Sequence, residues 1–292
     1  MKINELNYNI VKDIEFFLES EKLNLDDLSV LTSISRTTLN EILKVNYTID
    51  NVYEKFYSCV YKADYRLNSV KEDLLKETTK EVVLFHGSKY GLNNISLESA
   101  RSNCDFGKGF YLGETYDQAL SFVCENPKSS VYSFTCDLSD LKIKKYDCVL
   151  EWMIAICYYR GTIKDYQNAN IVKKIIKEIE EADLIIAPIA DNRMFYIMSL
   201  FAEGDINADA ALHSLSASKL GLQYIFKTEK ALQKLEAKEK YYLCKEEKKD
   251  CHDKLNNRSL EIDTKLKMSR REFRDGLFIE ELLKWENLTQ TG

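Results

Sequence analysis

The chain has 292 residues, two prolines, ten glycines and a formal net charge of −6, with 45% hydrophobic and 30% charged residues. Such a composition suits a folded chain of two domains, or of one domain with extensions; it excludes a Gly/Pro-rich linker and argues against a general polyanion binder, although a local basic groove stays open. Eight cysteines occur with no Cys-x-x-Cys pair, so the usual ligand spacing of a zinc site is missing and no metal is expected.

Met1 to Ile10 carries Asn, Glu and Lys instead of an apolar run, so no signal peptide is expected; reduced thiols and a cytoplasmic location follow as expectations. No apolar stretch approaches the roughly 20 residues that cross a bilayer, and no membrane partner is expected. Only three histidines are present, His86, His213 and His252, which disfavours mechanisms that need several.

Residues 1–60 are predicted as a small all-α domain. Ile10, Val11, Ile14, Phe17 and Leu18 recur at helical spacing, Asn24 caps a second helix, and Ser33-Ile34-Ser35 turns into a third that runs from Arg36 to Leu43 with Ser35 as its cap. The arrangement resembles a helix-turn-helix, which would offer Arg36, Thr37, Thr38 and Asn40 to a DNA major groove. The segment has six Lys/Arg against ten Asp/Glu, and this acidic balance argues for docking or packing over DNA binding. Residues 61–80 read as a helical connector.

Strands are predicted at 81–86, 109–112, 131–136, 183–187 (closed by Pro188) and 223–226, with helices at 115–124, 151–159, 193–203, 207–215 and 229–235. Short strands interspersed with helices imply an α+β domain over 81–235. From Lys227 onward, 16 basic and 14 acidic residues nearly cancel, so 236–292 reads as a charged helical tail. It ends in an amphipathic helix near Phe273 to Leu288, with Phe278, Leu282 and Trp285 on one side.

Three short pieces carry chemistry: Phe85-His86-Gly87-Ser88, Asp105-Phe106-Gly107-Lys108-Gly109-Phe110-Tyr111-Leu112, and Leu222-Gln223-Tyr224-Ile225-Phe226. In order and type they resemble the ADP-ribosyltransferase fold of the diphtheria-toxin and poly(ADP-ribose) polymerase branch. The region from about 81 to 235 is similar to the DUF3990 family of that fold. Supporting pieces are Glu151-Trp152, Ala187-Pro188-Ile189-Ala190-Asp191-Asn192-Arg193 and Gln223-Tyr224-Ile225-Phe226-Lys227-Thr228-Glu229. The resemblance implies a split β-sheet with helices and an NAD-dependent transferase that uses NAD as a substrate, releases nicotinamide and places ADP-ribose on a protein or nucleic-acid acceptor. By analogy, a helical domain attached to such a fold suggests a bacterial toxin, effector or phage-defence protein.

The resemblance gives each residue a role. His86 would hydrogen-bond a ribose hydroxyl, Gly87 would let its backbone approach the nicotinamide amide, and Ser88 would add a hydroxyl there. Tyr111 would stack on the nicotinamide, Gly107 and Gly109 would shape the turn before it, Gly109 and Phe110 would join Tyr111 in binding the cofactor, and Lys108 would sit near cofactor or acceptor. Gln223 would contact the nicotinamide ribose and orient the acceptor. It stands where better-known members carry Glu, and an amide cannot act as a base, so single transfers are favoured over polymer formation. Glu151, Asp191 and Arg193 are the candidates for a base or for acceptor binding.

Each piece alone has a plainer reading. His-Gly can be a capped turn, Gly-Lys-Gly a hairpin, and Asp191 with Arg193 a helix cap and an ion pair. Besides a structural or interaction protein, for which only the tail helices speak, two other functions stay open. One is a helix-turn-helix regulator that senses NAD or ADP-ribose without cleaving it. The other is chemistry of the tRNA 2′-phosphotransferase kind, which is disfavoured because the chain lacks that group's second histidine.

Overall fold

The computed structural model describes Ile3 and residues 6–45, 50–98, 100–216 and 220–285. Helices α1 (Ile10–Glu21), α2 (Leu25–Thr32), α3 (Arg36–Val45) and α4 (Asp50–Lys62) bury Ile10, Ile14, Phe17, Leu28, Leu39, Ile42 and Phe56 against one another. Local chemistry sets their ends. The Asn24 side chain accepts from the Asp26 and Asp27 amides while Asp27 reaches back, and Ser35 Oγ accepts from Thr38 N at 3.1 Å. The Arg36 guanidinium lies 2.6 Å from both Asp26 oxygens.

Helix α5 (Leu67–Thr78) leads from the helical region to the sheet. Its Lys71 is 9% exposed and bonds Asp13 of α1 at 2.9 Å. The same ammonium lies 2.6 Å from Glu239, so one lysine ties the helices to the sheet.

Seven strands form one open mixed sheet: β1 (Val82–Ser88), β2 (Phe110–Gly113), β3 (Ser130–Cys136), β4 (Ile143–Lys145), β5 (Leu184–Pro188), β6 (Leu222–Phe226) and β7 (Leu235–Tyr241). Their order is β4-β5-β6-β2-β1-β3-β7; β4 and β5 are parallel and every other neighbouring pair is antiparallel. The ladder is uneven. β1 pairs with β3 over seven residues, from Val82↔Cys136 to Ser88↔Ser130, but with β2 only at Phe85↔Gly113. The sheet is therefore two blocks joined at one residue pair.

Helices α7 (Leu150–Arg160), α8 (Asn170–Glu180), α9 (Asn192–Ala202) and α10 (Ala208–Ser216) cover the β5-β6-β2 block on one face, around Trp152, Ile156, Ile197, Phe201 and Ile225. Helix α6 (Tyr116–Ser121) covers the same face of the β1-β3 block, packing Tyr116, Ala119 and Leu120 on Phe85 and Val131. Thr115 and Gln118 cap α6 as a box. The opposite face buries Leu84, Phe110, Leu112, Phe134 and Phe226, with Ile3 and Ile95 against them.

Sequence and structure part in several places. Strand β4 and helix α8 were not expected, although Val172, Ile175 and Ile179 are buried at helical spacing in α8. Helix α11 (Glu229–Leu232) stops short of Leu235. The expected helical tail from 236 begins as a strand. Leu235 and Tyr241 of β7 are buried against the sheet while charged side chains occupy intermediate positions; pairing with β3 overrides the Lys/Glu composition. Helix α12 (Lys245–Glu272) then crosses the helical layer, with Glu247, Ile262 and Leu266 buried, so it is only partly solvated. In α13 (Ile279–Trp285) the buried contacts come from Ile279 and Leu283, whereas Phe278 is exposed. The expected continuation to Leu288 lies outside the described residues. No described helix is long and apolar enough to cross a membrane.

Candidate active site

The motif residues gather where the two sheet blocks part. Beyond Phe85↔Gly113 the next β1 residue, His86, turns its ring to the seam, and Nδ1 lies 2.8 Å from the Tyr111 carbonyl oxygen. A carbonyl only accepts, so Nδ1 carries the hydrogen and Nε2 remains an acceptor. The imidazole thereby takes up a carbonyl that a continuous ladder would give to a backbone N–H. Its ring lies on Phe110 with centroids 4.6 Å apart. Burial pushes the His86 pKa down, the Tyr111 carbonyl opposes that shift, and Arg101 adds to it, which keeps the ring neutral at neutral pH.

Gly87 follows, and a Cβ there would collide with the Ala119 carbonyl oxygen of α6. The missing side chain thus first permits close helix–strand packing. Ser88 Oγ donates to the Gly91 carbonyl at 2.6 Å and closes the turn after β1.

The glycine-rich piece is a loop latched by the tyrosine that follows it. Gly107 sits at φ +70°. Tyr111 Oη donates to the Gly107 carbonyl at 2.7 Å and accepts from Phe106 N at 3.1 Å. Burial raises the Tyr111 pKa, so the hydroxyl stays protonated. Lys227 Nζ donates to the Phe106 carbonyl at 2.6 Å, and burial pulls that lysine down to about 8. A Cβ at Gly109 would lie 2.6 Å from Ile225 Cγ2, so a glycine is needed for β2 to meet β6. Lys108 is exposed.

Gln223 is buried on β6, opposite Gly113 on β2 and Ala187 on β5. Its Nε2 donates to Asp105 Oδ2 at 3.2 Å and to the Pro188 carbonyl at 3.1 Å. Asp105 is buried too and receives Arg160 Nε at 3.0 Å and Nη2 at 2.7 Å on Oδ1. In the sequence Asp105 stands within the glycine-rich motif with no role of its own, and Arg160 belongs to no motif. An acid at the head of a glycine-rich loop was a visible signal for the first. Nothing along the chain links residues 105, 160 and 223; only folding does.

Strand register sorts these residues. Tyr111, Gly113, Gln223, Phe85 and Gly87 share one face, while His86, Phe110 and Tyr224 share the other. Tyr111 and Gln223 meet through the Asp105–Gly107 loop, and His86 reaches them only through the Tyr111 carbonyl. Of the three candidate bases or acceptor-binding residues, none forms a side-chain hydrogen bond with Gln223 among the described residues. Glu151 is exposed at the start of α7 and lines a separate cleft of about 690 Å³ beside β4. Asp191 caps α9, accepting from Met194 N at 2.8 Å. Arg193 pairs with Asp263 of α12. Asp191 and Arg193 do line a cleft of about 640 Å³ between the strand ends and α12, together with Lys89, Gln118, Phe122 and Arg258.

A divided α+β sheet with a histidine wedge, a tyrosine-latched glycine loop and a buried polar strand residue is the class of site the geometry defines. Residues 82–237 match the model of a family described as a protein of unknown function, DUF3990. The match spans more than half of the chain, and the chain belongs to that family. No curated protein and no solved structure matches it.

Proposed function

We propose that the chain is an NAD-dependent ADP-ribosyltransferase that releases nicotinamide and transfers single ADP-ribose groups to a protein or nucleic-acid acceptor. The observation that carries this reading is the convergence of the three motif pieces, in order, on β1, β2 and β6 around a sheet joined at one residue pair. On this reading the single-pair junction between β1 and β2 is the split of an ADP-ribosyltransferase-like sheet. No metal enters the mechanism.

Cleavage of the bond from nicotinamide to ribose passes through an oxocarbenium-like state, so the protein's task is to hold the dinucleotide bent and to exclude water. On this reading His86 Nε2 accepts a ribose hydroxyl at the seam, and the unpaired edge of β1 at Gly87 offers backbone groups to the nicotinamide amide. The Tyr111 ring supplies the stacking face, held in place by its hydroxyl latch. Gln223 presents Oε1 to the nicotinamide ribose, since both hydrogens of its amide are engaged elsewhere. Asp191 and Arg193 lie along the cleft by which an acceptor would approach. The N-terminal helices serve docking, consistent with the Arg36 side chain being held by Asp26.

The amide at 223 also favours a second reading, a sensor that binds NAD without cleaving it, because an amide cannot deprotonate an acceptor. One experiment separates the two. The purified protein is incubated with labelled NAD and a cell lysate, and label is counted in protein and nucleic-acid fractions with His86→Ala alongside. Label in one fraction, lost in the variant, is the expected result. NAD recovered intact with no free nicotinamide, yet retained by the protein, overturns the transferase in favour of the sensor.

A further inference from the structure

We propose that Asp105 is a positioning residue that selects glutamine at position 223 and fixes which way its amide points. This inference rests on the transferase reading for its catalytic meaning, but its structural half stands on the hydrogen bonds alone.

Both side chains are 6% exposed, so water does not substitute for lost partners. The two atoms within reach of the Gln223 nitrogen, Asp105 Oδ2 and the Pro188 carbonyl oxygen, are acceptors. An amide oxygen turned toward them would face two other acceptors with no hydrogen between. The amide therefore has one satisfied orientation, nitrogen toward the loop and Oε1 away from it. Arg160 places Nε and Nη2 on the other Asp105 oxygen, which compensates the buried charge and holds the carboxylate in plane with its task. The loop carrying Asp105 is in turn latched by the Tyr111 hydroxyl and by Lys227.

A carboxylate at 223 does not fit this cradle. It would set an acceptor oxygen about 3 Å from Asp105, where two like charges in a buried site cannot both persist. Gln223 is thus a built feature and not a weakened glutamate. For the proposed reaction, the group on β6 is a neutral hydrogen-bond acceptor that orients a ribose hydroxyl. The acceptor molecule is then one whose nucleophile needs no deprotonation at this residue.

The test compares the parent with Gln223→Glu, Asp105→Asn and the double variant, by thermal melting and by NAD turnover. Gln223→Glu is expected to melt about 5–10 °C lower near pH 8, in line with the cost of an unpaired buried charge, and to recover most of that near pH 5 as a carboxyl takes up a proton. Adding Asp105→Asn supplies an amide donor for the new carboxylate and is expected to recover about half of the loss, the Pro188 carbonyl still facing a carboxylate oxygen. Turnover should follow the same pattern, with a fall of about tenfold or more in kcat for Gln223→Glu that the second substitution partly reverses. Gln223→Glu melting like the parent at both pH values overturns the proposal, as does a double variant no more stable than Gln223→Glu. If the parent leaves NAD uncleaved while the melting pattern holds, the transferase reading fails and the selection of Gln223 by Asp105 stands.

Discussion

Replacing Lys71 by methionine tests how the helical region is joined to the sheet. The ammonium sits between Asp13 and Glu239, at 2.9 and 2.6 Å, and lies 4.7 Å from the centroid of the Tyr241 ring. Methionine fills a similar volume but leaves two carboxylates facing each other, with only Tyr57 Oη donating to Asp13 at 2.5 Å. Removing one partner of a buried ion pair costs about 3–5 kcal/mol, more than the pair itself adds over an apolar replacement. With an unfolding entropy of about 0.6 kcal/mol/K for 292 residues, that corresponds to a Tm lower by about 5–8 °C, read by circular dichroism near neutral pH. The pH dependence has a definite sign. Burial pulls the Lys71 pKa down, but Asp13 and Glu239 outweigh it and the net shift is upward. The stabilisation is therefore fully present below the unfolded lysine value of about 10.4 and is lost as pH rises through the folded one. The gap between the parent and Lys71→Met should therefore close in alkaline solution, where the ammonium loses its proton. A drop of less than about 2 °C at neutral pH would refute the reasoning, because an uncompensated buried charge cannot be that cheap.

Glu247 of α12 is buried and accepts from Tyr116 Oη at 2.9 Å and from Asn68 Nδ2 at 3.2 Å, yet burial outweighs these bonds and lifts its pKa to about 7. The folded value exceeds the unfolded one, so this group's contribution is largest in acid and declines as pH climbs from about 4 to the folded value. Glu247→Gln should flatten urea stability across that window and gain on the order of 2–3 kcal/mol above it; an unchanged pH profile would rule this out. Gly87→Ala drives a methyl into the Ala119 carbonyl, so α6 must lift from β1. A loss of about 1–3 kcal/mol is expected, with NAD turnover falling as well, and a variant of parental stability would show that the helix yields freely. Tyr111→Phe keeps the ring and removes the latch made with Phe106 N and Gly107 O. It should cost about 1–3 kcal/mol and make the 104–109 loop more sensitive to protease, whereas an unchanged digestion rate would mean that the hydroxyl does not hold the loop.

Much of the fold was legible because local rules set it. Asn24, Ser35 and Thr115 announce helix starts through side chains that satisfy the first free amides. The β-branched and aromatic runs at β1, β3, β5 and β6 mark strands that are buried in a sheet. The apolar spacing of Val172, Ile175 and Ile179 in α8 is an equally readable helical signal. β7 was hidden because its charged residues match the helix after it in composition, and only the partner strand β3 distinguishes the two. The three motif pieces could be read as a set because each is short, contiguous and tied to a strand or its edge.

Their relative placement could not. Alternation along paired strands puts His86 on one face and Gln223 on the other, and that depends on register between strands far apart in sequence. Glu151, Asp191 and Arg193 are charged and near the motifs along the chain, yet their side chains point to a second cleft, a helix cap and α12. The carboxylate beside Gln223 came instead from Asp105, held by Arg160 at the far end of α7. By itself the sequence determined the helices, most strands and the chemical types at the site, because these depend on neighbours within a few residues. Tertiary structure alone decided which acid meets which amide, because burial makes every polar atom depend on a partner that only the folded chain brings near.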